Sequence, residues 1–365
     1  MHPRFHLLDF LRGIAAISVV IYHFSLKVGM YGIMGHAYLA VDFFLVLSGF
    51  VIETSYSNRI KFGEMNFHQF SLARLIRLLP LVFIGTSMGA FFMSFASDKH
   101  THMDYDSSIP LWYIMGIFLL PVLWEIGNHG IFPINRPLWS LFFEIISNIF
   151  HFFALRAQRR LRIYLTTMFI CFIGLLYIVI CQLTVDVGFN KETFLLGFPR
   201  VIFSYTLGAI LANVNLRLPV LNAWQSGLIM ALIFLIPGLT YIGFFSPFVD
   251  LLAITVINPL VVLSAAKNKT HYGRLSIVCI FGDVSYPLYT LHDPFVRVIS
   301  TFLSARHLPS TINICVVVFS TFVIAAISYF VYLKIDNPVR SYLRGRFLSS
   351  LIAQKQTVLQ KTRGP

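Results

Sequence analysis

Charge is what this sequence has least of. Only 12% of its 365 residues are Asp, Glu, Lys or Arg, and 15 of those are acidic. Soluble domains carry roughly twice that charged fraction, so an ordinary water-exposed surface is excluded. Cysteine is also sparse. Cys171, Cys181, Cys279 and Cys315 lie inside apolar runs with no CxxC pair, where cysteine behaves as a small hydrophobe. Neither a disulfide framework nor a metal site is expected. A P-loop, a dinucleotide-binding glycine fingerprint, an internal repeat and a low-complexity segment are all missing.

Apolar runs are plentiful. Hydrophobic residues make up 57% of the chain, in stretches of about 17–25 residues that match a ~30 Å hydrocarbon core. The expected fold class is an all-α polytopic membrane helix bundle of about ten transmembrane helices. The predicted spans are 7–27, 37–56, 71–95, 137–155, 162–183, 199–214, 224–243, 249–265, 276–303 and 311–333. The first is read as a retained span. Arg12 interrupts it and no small-residue cleavage site follows.

An eleventh stretch, 109–124, is short and bounded by Pro110 and Pro121. Basic residues decide its reading. If it does not cross, 20 of the 28 Lys and Arg residues fall on one side, which the positive-inside rule makes cytoplasmic. If it did cross, the run RAQRRLR (156–162) would face outward. The segment near 109–124 is therefore expected to be re-entrant or interfacial, with both termini cytoplasmic. Residues 1–340 would form the membrane domain and 341–365 a basic cytoplasmic tail able to touch anionic lipid. The net charge of +13 is then mostly topological, and nucleic-acid binding is not expected. The bilayer is the one structural partner implied, and no oligomeric state is specified.

Ionisable groups inside spans are costly, about 2.5–3.5 kcal/mol or more at the bilayer centre. Arg12 and His23 are eleven residues apart, which puts them on one helix face about 16 Å apart along the axis. Asp42 and Glu53 repeat that spacing in the second span. Ser140, Glu144, Ser147, Asn148 and His151 form a polar stripe on the fourth, and His292 and Asp293 lie in the ninth, between Pro287 and Pro294. Topology sorts these groups into two levels. His23, Asp42, Glu144 and His292 are expected toward the outside, and Arg12, Arg74 and Arg77 toward the cytoplasm. Taken singly, such arginines reach lipid phosphate and such histidines are hydrogen-bonded between helices. Taken together, inner arginines suit a polyanion, and an outer histidine beside carboxylates suits general-base work on a hydroxyl. A coenzyme A thioester, with phosphates at one end of a thin reactive arm, has the shape to join the two levels.

Five stretches carry a family resemblance: LDFLRGIAAISVVIYHF (8–24), AVDFFLVLSGFVI (40–52), RLIR (74–77), RPLWSLFFE (136–144) and FGDVSYPLYTLHDPF (281–295). In this order, over roughly residues 5–340, the chain resembles the acyltransferase family 3 of integral-membrane acyltransferases, which includes bacterial O-acetyltransferases of lipopolysaccharide O-antigen and other surface polysaccharide. The resemblance implies an acyl-CoA donor, usually acetyl-CoA, used from the cytoplasm, a saccharide hydroxyl as acceptor on the far side, and a bacterial inner membrane. The family's Arg-(ten residues)-His pattern falls on Arg12 and His23, its Arg-x-x-Arg on Arg74 and Arg77, and its Trp-Ser-Leu-x-x-Glu on Trp139, Ser140, Leu141 and Glu144. Phe10 stands where glycine is usual, and Ile145 and Ile146 where polar residues are common. Some members carry an extracytoplasmic hydrolase-like domain, which this chain is expected to lack.

The resulting expectation is a membrane O-acyltransferase. Arg12, Arg74 and Arg77 would hold the donor phosphates. His23 would be the base, with Asp42 or Glu144 orienting it. Trp139, Ser140 and His292 would touch substrate. A transporter or flippase with midplane charges is the rival reading, set back by the lack of duplicated halves. A non-catalytic relative is the third.

Overall fold

A computed structural model of the chain describes residues 5–348, apart from 31–32, 96–104, 125–129, 216–218, 240–245, 269, 271, 273–275 and 307. Among the described residues every regular element is helical. The α-helices are α1 (His6–Lys27), α2 (Ala40–Lys61), α3 (Phe67–Phe95), α4 (Tyr105–Ile117), α5 (Leu138–Arg156), α6 (Arg160–Gln182), α7 (Gly197–Leu211), α8 (Ala223–Leu239), α9 (Ser246–Leu252), α10 (Asn258–Ala266), α11 (Ile277–Ser304), α12 (Ser310–Val331) and α13 (Asn337–Leu343). A π-helical turn, Ala253–Ile257, fuses α9 to α10, and a second, Tyr332–Asp336, fuses α12 to α13.

Among the described residues eight helices are long and apolar enough to cross a membrane, against the ten expected. The other two expected spans are α8 and α11. The helix α8 has 17 residues. The helix α11 has 28, but Asp283, His292, Asp293 and Arg297 make it polar, and it packs mostly inside the bundle. Pro287 and Pro294 do not interrupt it. Residues 109–124 form no span of their own. The 13 residues of α4 reach only about 20 Å. Beyond them Leu119 adopts a left-handed φ of 54°, and the Val122 N–H donates to the Ile131 carbonyl at 2.9 Å. Of the tail expected over 341–365, residues 341–348 continue the last helix; 349–365 lie outside the described residues.

Polarity is arranged inside out. Phe319 and Phe322 are about 70% exposed on α12, as suits a lipid-facing surface, while Asp42, Arg200, His292 and Asp293 are buried. Glycines let two helix pairs approach closely, as small residues do in membranes. In the parallel pair α1–α11, a methyl on Gly13 would lie 2.5 Å from the Phe281 carbonyl oxygen, and one on Gly282 would lie 2.6 Å from Asp9 Cβ. In the α2–α7 pair, also parallel, methyls on Gly49 and Gly208 would collide with the Tyr205 and Val46 carbonyls. The first contact sets Arg12 and His23 against α11, and the second sets Asp42 against α7.

Candidate active site

Of the polar clusters in the bundle interior, three bear on the candidate site; a separate one gathers His151, Arg160, Tyr164 and Asn213 around Glu53. The first surrounds a cavity near the Arg12 end of α1. Its narrow inner chamber, about 100 Å³, is lined by Arg12, Arg74, Arg77, Ser140, Glu144 and Tyr289 among others. A wider mouth of about 340 Å³ is lined by Arg12 and Arg77 again, with Asp9, Asp283, Arg340 and Arg344. Arg12, Leu47, Val51, Arg77 and Tyr286 line both spaces, so mouth and chamber meet at a throat flanked by two arginines.

The throat arginines are held differently. Arg12 is fixed on α11: its Nε donates to Ser285 Oγ at 2.7 Å and an Nη donates to the Gly282 carbonyl at 3.1 Å, with Asp9 3.2 Å away. Arg77 has no hydrogen bond or ion pair among the described residues. Among the charges acting on it are those of Arg12, Arg74 and Arg340, against Glu144 and Asp336. Arg74 is neutralised by Glu144 at 2.6 Å, and Ser48 donates to the same carboxylate at 2.7 Å. Glu144 thus stands at the arginine level, not at the histidine level where its place in the span suggested.

The second cluster contains His23. Its ring stacks on His292 of α11, with centroids 5.2 Å apart and planes inclined by 30°. The Nδ1 of His292 lies 3.0 Å from the Leu288 carbonyl, so it is the protonated nitrogen. The opposite nitrogen, Nε2, is buried with no hydrogen-bond partner among the described residues. Asp293 and Arg136 are charged groups close enough to act on His23. Asp293 is held in turn by Arg297 at 2.8 Å, whose Nη1 also donates to the Pro133 carbonyl at 2.7 Å. Arg136 lies outside the spans, and loss of water there lowers its pKa, helped by the like charge of Arg297.

Neither carboxylate expected to orient His23 touches it. Asp42 belongs to a third cluster. Its two oxygens accept from Arg200 of α7 at 2.8–3.3 Å and from Ser204 at 3.1 Å, and both members of the Asp42–Arg200 pair are fully buried. Trp139 packs its ring 5.5 Å from the Arg200 guanidinium, which is a cation–π distance. Arg200 also approaches Asp186, which accepts a hydrogen bond from Tyr22 at 3.1 Å. Asp186 lies between α6 and α7. Loss of water raises its carboxyl pKa, and the Arg200 charge opposes that rise. A neighbouring triad joins Asp250 to His36 at 2.6 Å and to Tyr38 at 2.5 Å.

One aromatic layer separates the cavity from the histidines. Tyr289 and Phe44, both lining the inner chamber, meet edge to face at 5.4 Å. The Tyr289 ring lies 6.1 Å from that of His292, and its hydroxyl is 2.7 Å from Ser140 Oγ.

A family described as an acyltransferase domain matches residues 5–333. The chain belongs to this acyltransferase family. Two O-acetyltransferase relatives align over most of it. One is the O-acetyltransferase OatA of Staphylococcus aureus, 22% identical over 91% of this chain and 57% of its own length. The other is the putative peptidoglycan O-acetyltransferase YrhL of Bacillus subtilis, 24% identical over 92% of this chain and 54% of its own. The chain therefore spans just over half the length of these two proteins. "Protein 2 in picA locus" of Rhizobium radiobacter is 32% identical over 40% of this chain and 79% of its own length. No solved structure matches.

In this acyltransferase, Arg200, Tyr289, Ser285, Arg340 and Arg344 line or support these clusters, and sequence reasoning did not single them out. Arg200 opens an apolar run, the usual place of a residue that reaches for the interface. Its i, i+4 spacing to Ser204 is the one local sign of an inward polar face. Asp293 and Arg297 share that spacing, which marks an ion pair on one helix face.

Proposed function

We propose that the chain is a membrane O-acyltransferase that moves an acetyl group from acetyl-CoA to a saccharide hydroxyl across the bilayer. The observation that carries this reading is the single graded space: a wide basic mouth, an arginine throat, then a narrow chamber ending one aromatic layer from the His23–His292 pair. Arginine suits phosphate because its planar fork donates two parallel hydrogen bonds. With the Arg12 end cytoplasmic, as the distribution of basic residues favours, the donor enters from the cytoplasm and its arm points toward the far side.

In this reading Arg12 and Arg77 hold the diphosphate, and Arg74, buffered by Glu144, lines the path of the arm. Tyr289 and Phe44 part to admit the thioester. His23 takes the proton from the acceptor hydroxyl as its oxygen attacks the thioester carbonyl. The C–S bond breaks, and the proton passes to the departing thiolate. His292, whose Nδ1 is committed to Leu288, holds the His23 ring by stacking. Asp42 supports the site through Arg200 and not through His23. Peptidoglycan is named for one relative, so a cell-surface saccharide in a bacterial plasma membrane is the acceptor class we favour.

The test is transfer of labelled acetate from acetyl-CoA to membrane saccharides in proteoliposomes. Wild-type protein should produce covalent acetate, and His23→Ala, expressed and folded, should not. Movement of saccharide with no covalent acetate would overturn the reading in favour of a transporter.

A further inference from the structure

The cavity mouth is completed by a segment that the family match does not reach. That match ends at residue 333, yet Asn337, Arg340 and Arg344 line the mouth. Asn337, Arg340 and Arg344 follow i, i+3, i+7 spacing, so they form one stripe on the final helix. The π-helical turn at Tyr332–Asp336 leads into that stripe. Arg340 is tied to Asp336 at 2.5 Å and is mostly buried, and its guanidinium lies 5.8 Å from the Tyr332 ring. Arg344 is exposed. The mouth thus carries four arginines against Asp9 and Asp283.

These cations stand at two stations. Arg12 and Arg77 line both mouth and chamber, whereas Arg340 and Arg344 line the mouth alone. A ligand with one phosphate group would need one station. Coenzyme A has two, in a matching order along its length: the thin pantetheine arm, then the diphosphate, then a ribose bearing a 3′-phosphate. Placing the arm in the narrow chamber and the diphosphate at the throat leaves the 3′-phosphate beside the final helix. Resting on the donor assignment above, we infer that Arg340 and Arg344 form a recognition site for the 3′-phosphate of coenzyme A, outside the family's common domain. They are donor-specificity residues and take no part in the chemistry.

Binding to the purified full chain in detergent, measured by calorimetry, tests this without knowledge of the acceptor. The two probes are CoA and dephospho-CoA, which differ only in the 3′-phosphate. Wild-type protein should bind CoA at least about tenfold more tightly, the expected scale of a charge-assisted contact. Arg344→Gln, a change at an exposed position, should lose much of that preference. Arg340→Gln combined with Arg344→Gln should bind both probes with the affinity that wild type shows for dephospho-CoA. Equal wild-type affinity for the two probes would overturn the inference and leave the donor assignment standing. So would an equal loss for both probes in the variants, which marks a structural effect. A wild-type protein that binds neither probe would overturn the donor assignment itself.

Discussion

His23 of α1 and His292 of α11 stack with ring centroids 5.2 Å apart, at a depth fixed by the close glycine contact between the same two helices. The Nδ1 of His292 is committed to the Leu288 carbonyl, which fixes its ring against His23 and leaves Nε2 as its open nitrogen. His23→Ala should cut acetyl transfer by about 10²- to 10⁴-fold, the usual worth of a general base. His292→Asn preserves a donor near Leu288 but removes the stacked ring. It should lower turnover by about tenfold while leaving donor affinity unchanged, as an error in positioning does. Initial rates with acetyl-CoA, alongside calorimetry with CoA, separate the two effects. Full activity in His23→Ala would remove the base from the scheme.

Asp42 should behave as a structural residue. It is the main counter-charge to Arg200, a fully buried cation. Breaking such a pair costs about 3–5 kcal/mol because the remaining charge is left uncompensated. Asp42→Ala should therefore melt well below wild type in detergent, and Arg200→Ala should do the same. Replacing both with apolar residues of similar volume should recover part of the loss. The rate per folded molecule should change far less than the melting temperature. A carboxylate that orients His23 would give the opposite pattern.

The Asp42 result shows where sequence reading stops. Helical spacing placed Arg12 and His23 on one face, and the packing of α1 on α11 agrees, since the face meets Ser285 at one end and His292 at the other. Two levels of polar groups were legible for the same reason: rise per residue and span direction need no tertiary information. Partners were not legible. Asp42 meets Arg200 across 158 positions, and Arg200 reads from sequence as an interfacial residue at a span end. Glu144 was assigned to the histidine level by its place in α5, but Arg74 and Ser48 meet it at the arginine level. Arg340 and Arg344 contribute to the positive-inside pattern, and that role conceals the cavity they line. The span expected over 276–303 is a single helix, α11, yet it is less apolar than the lipid-facing helices because it carries His292 and Asp293 into the bundle interior.

The glycine contact between α2 and α7 should be intolerant of a single methyl. A Cβ at Gly208 would overlap the Val46 backbone carbonyl, which cannot rotate away as a side chain can. The helices would have to separate, disturbing the Asp42–Arg200 pair. Gly208→Ala should destabilise by about 1–3 kcal/mol, the range for overpacking. Gly345, where an added methyl meets nothing within 4 Å, is the control, and Gly345→Ala should melt like wild type. Thermal melting of the two variants in one detergent checks the contrast.

Arg77 should show stability traded for binding. It stands at the throat with no ion pair among the described residues, facing the like charges of Arg12, Arg74 and Arg340. A residue kept for an incoming anion is a burden until the anion arrives. Arg77→Gln should therefore raise the stability of the donor-free protein by about 0.5–2 kcal/mol, as relief of a strained functional site commonly does. With CoA present the order should change. A ligand at 100 times its Kd stabilises by about 2.7 kcal/mol, and the variant, having lost a forked phosphate contact, should gain much less from the same concentration. Melting curves of both proteins with and without CoA give the four values required. Arg77→Gln melting below wild type without ligand would show that the guanidinium is a structural element of the bundle, and equal gains from CoA would show that it does not meet the donor.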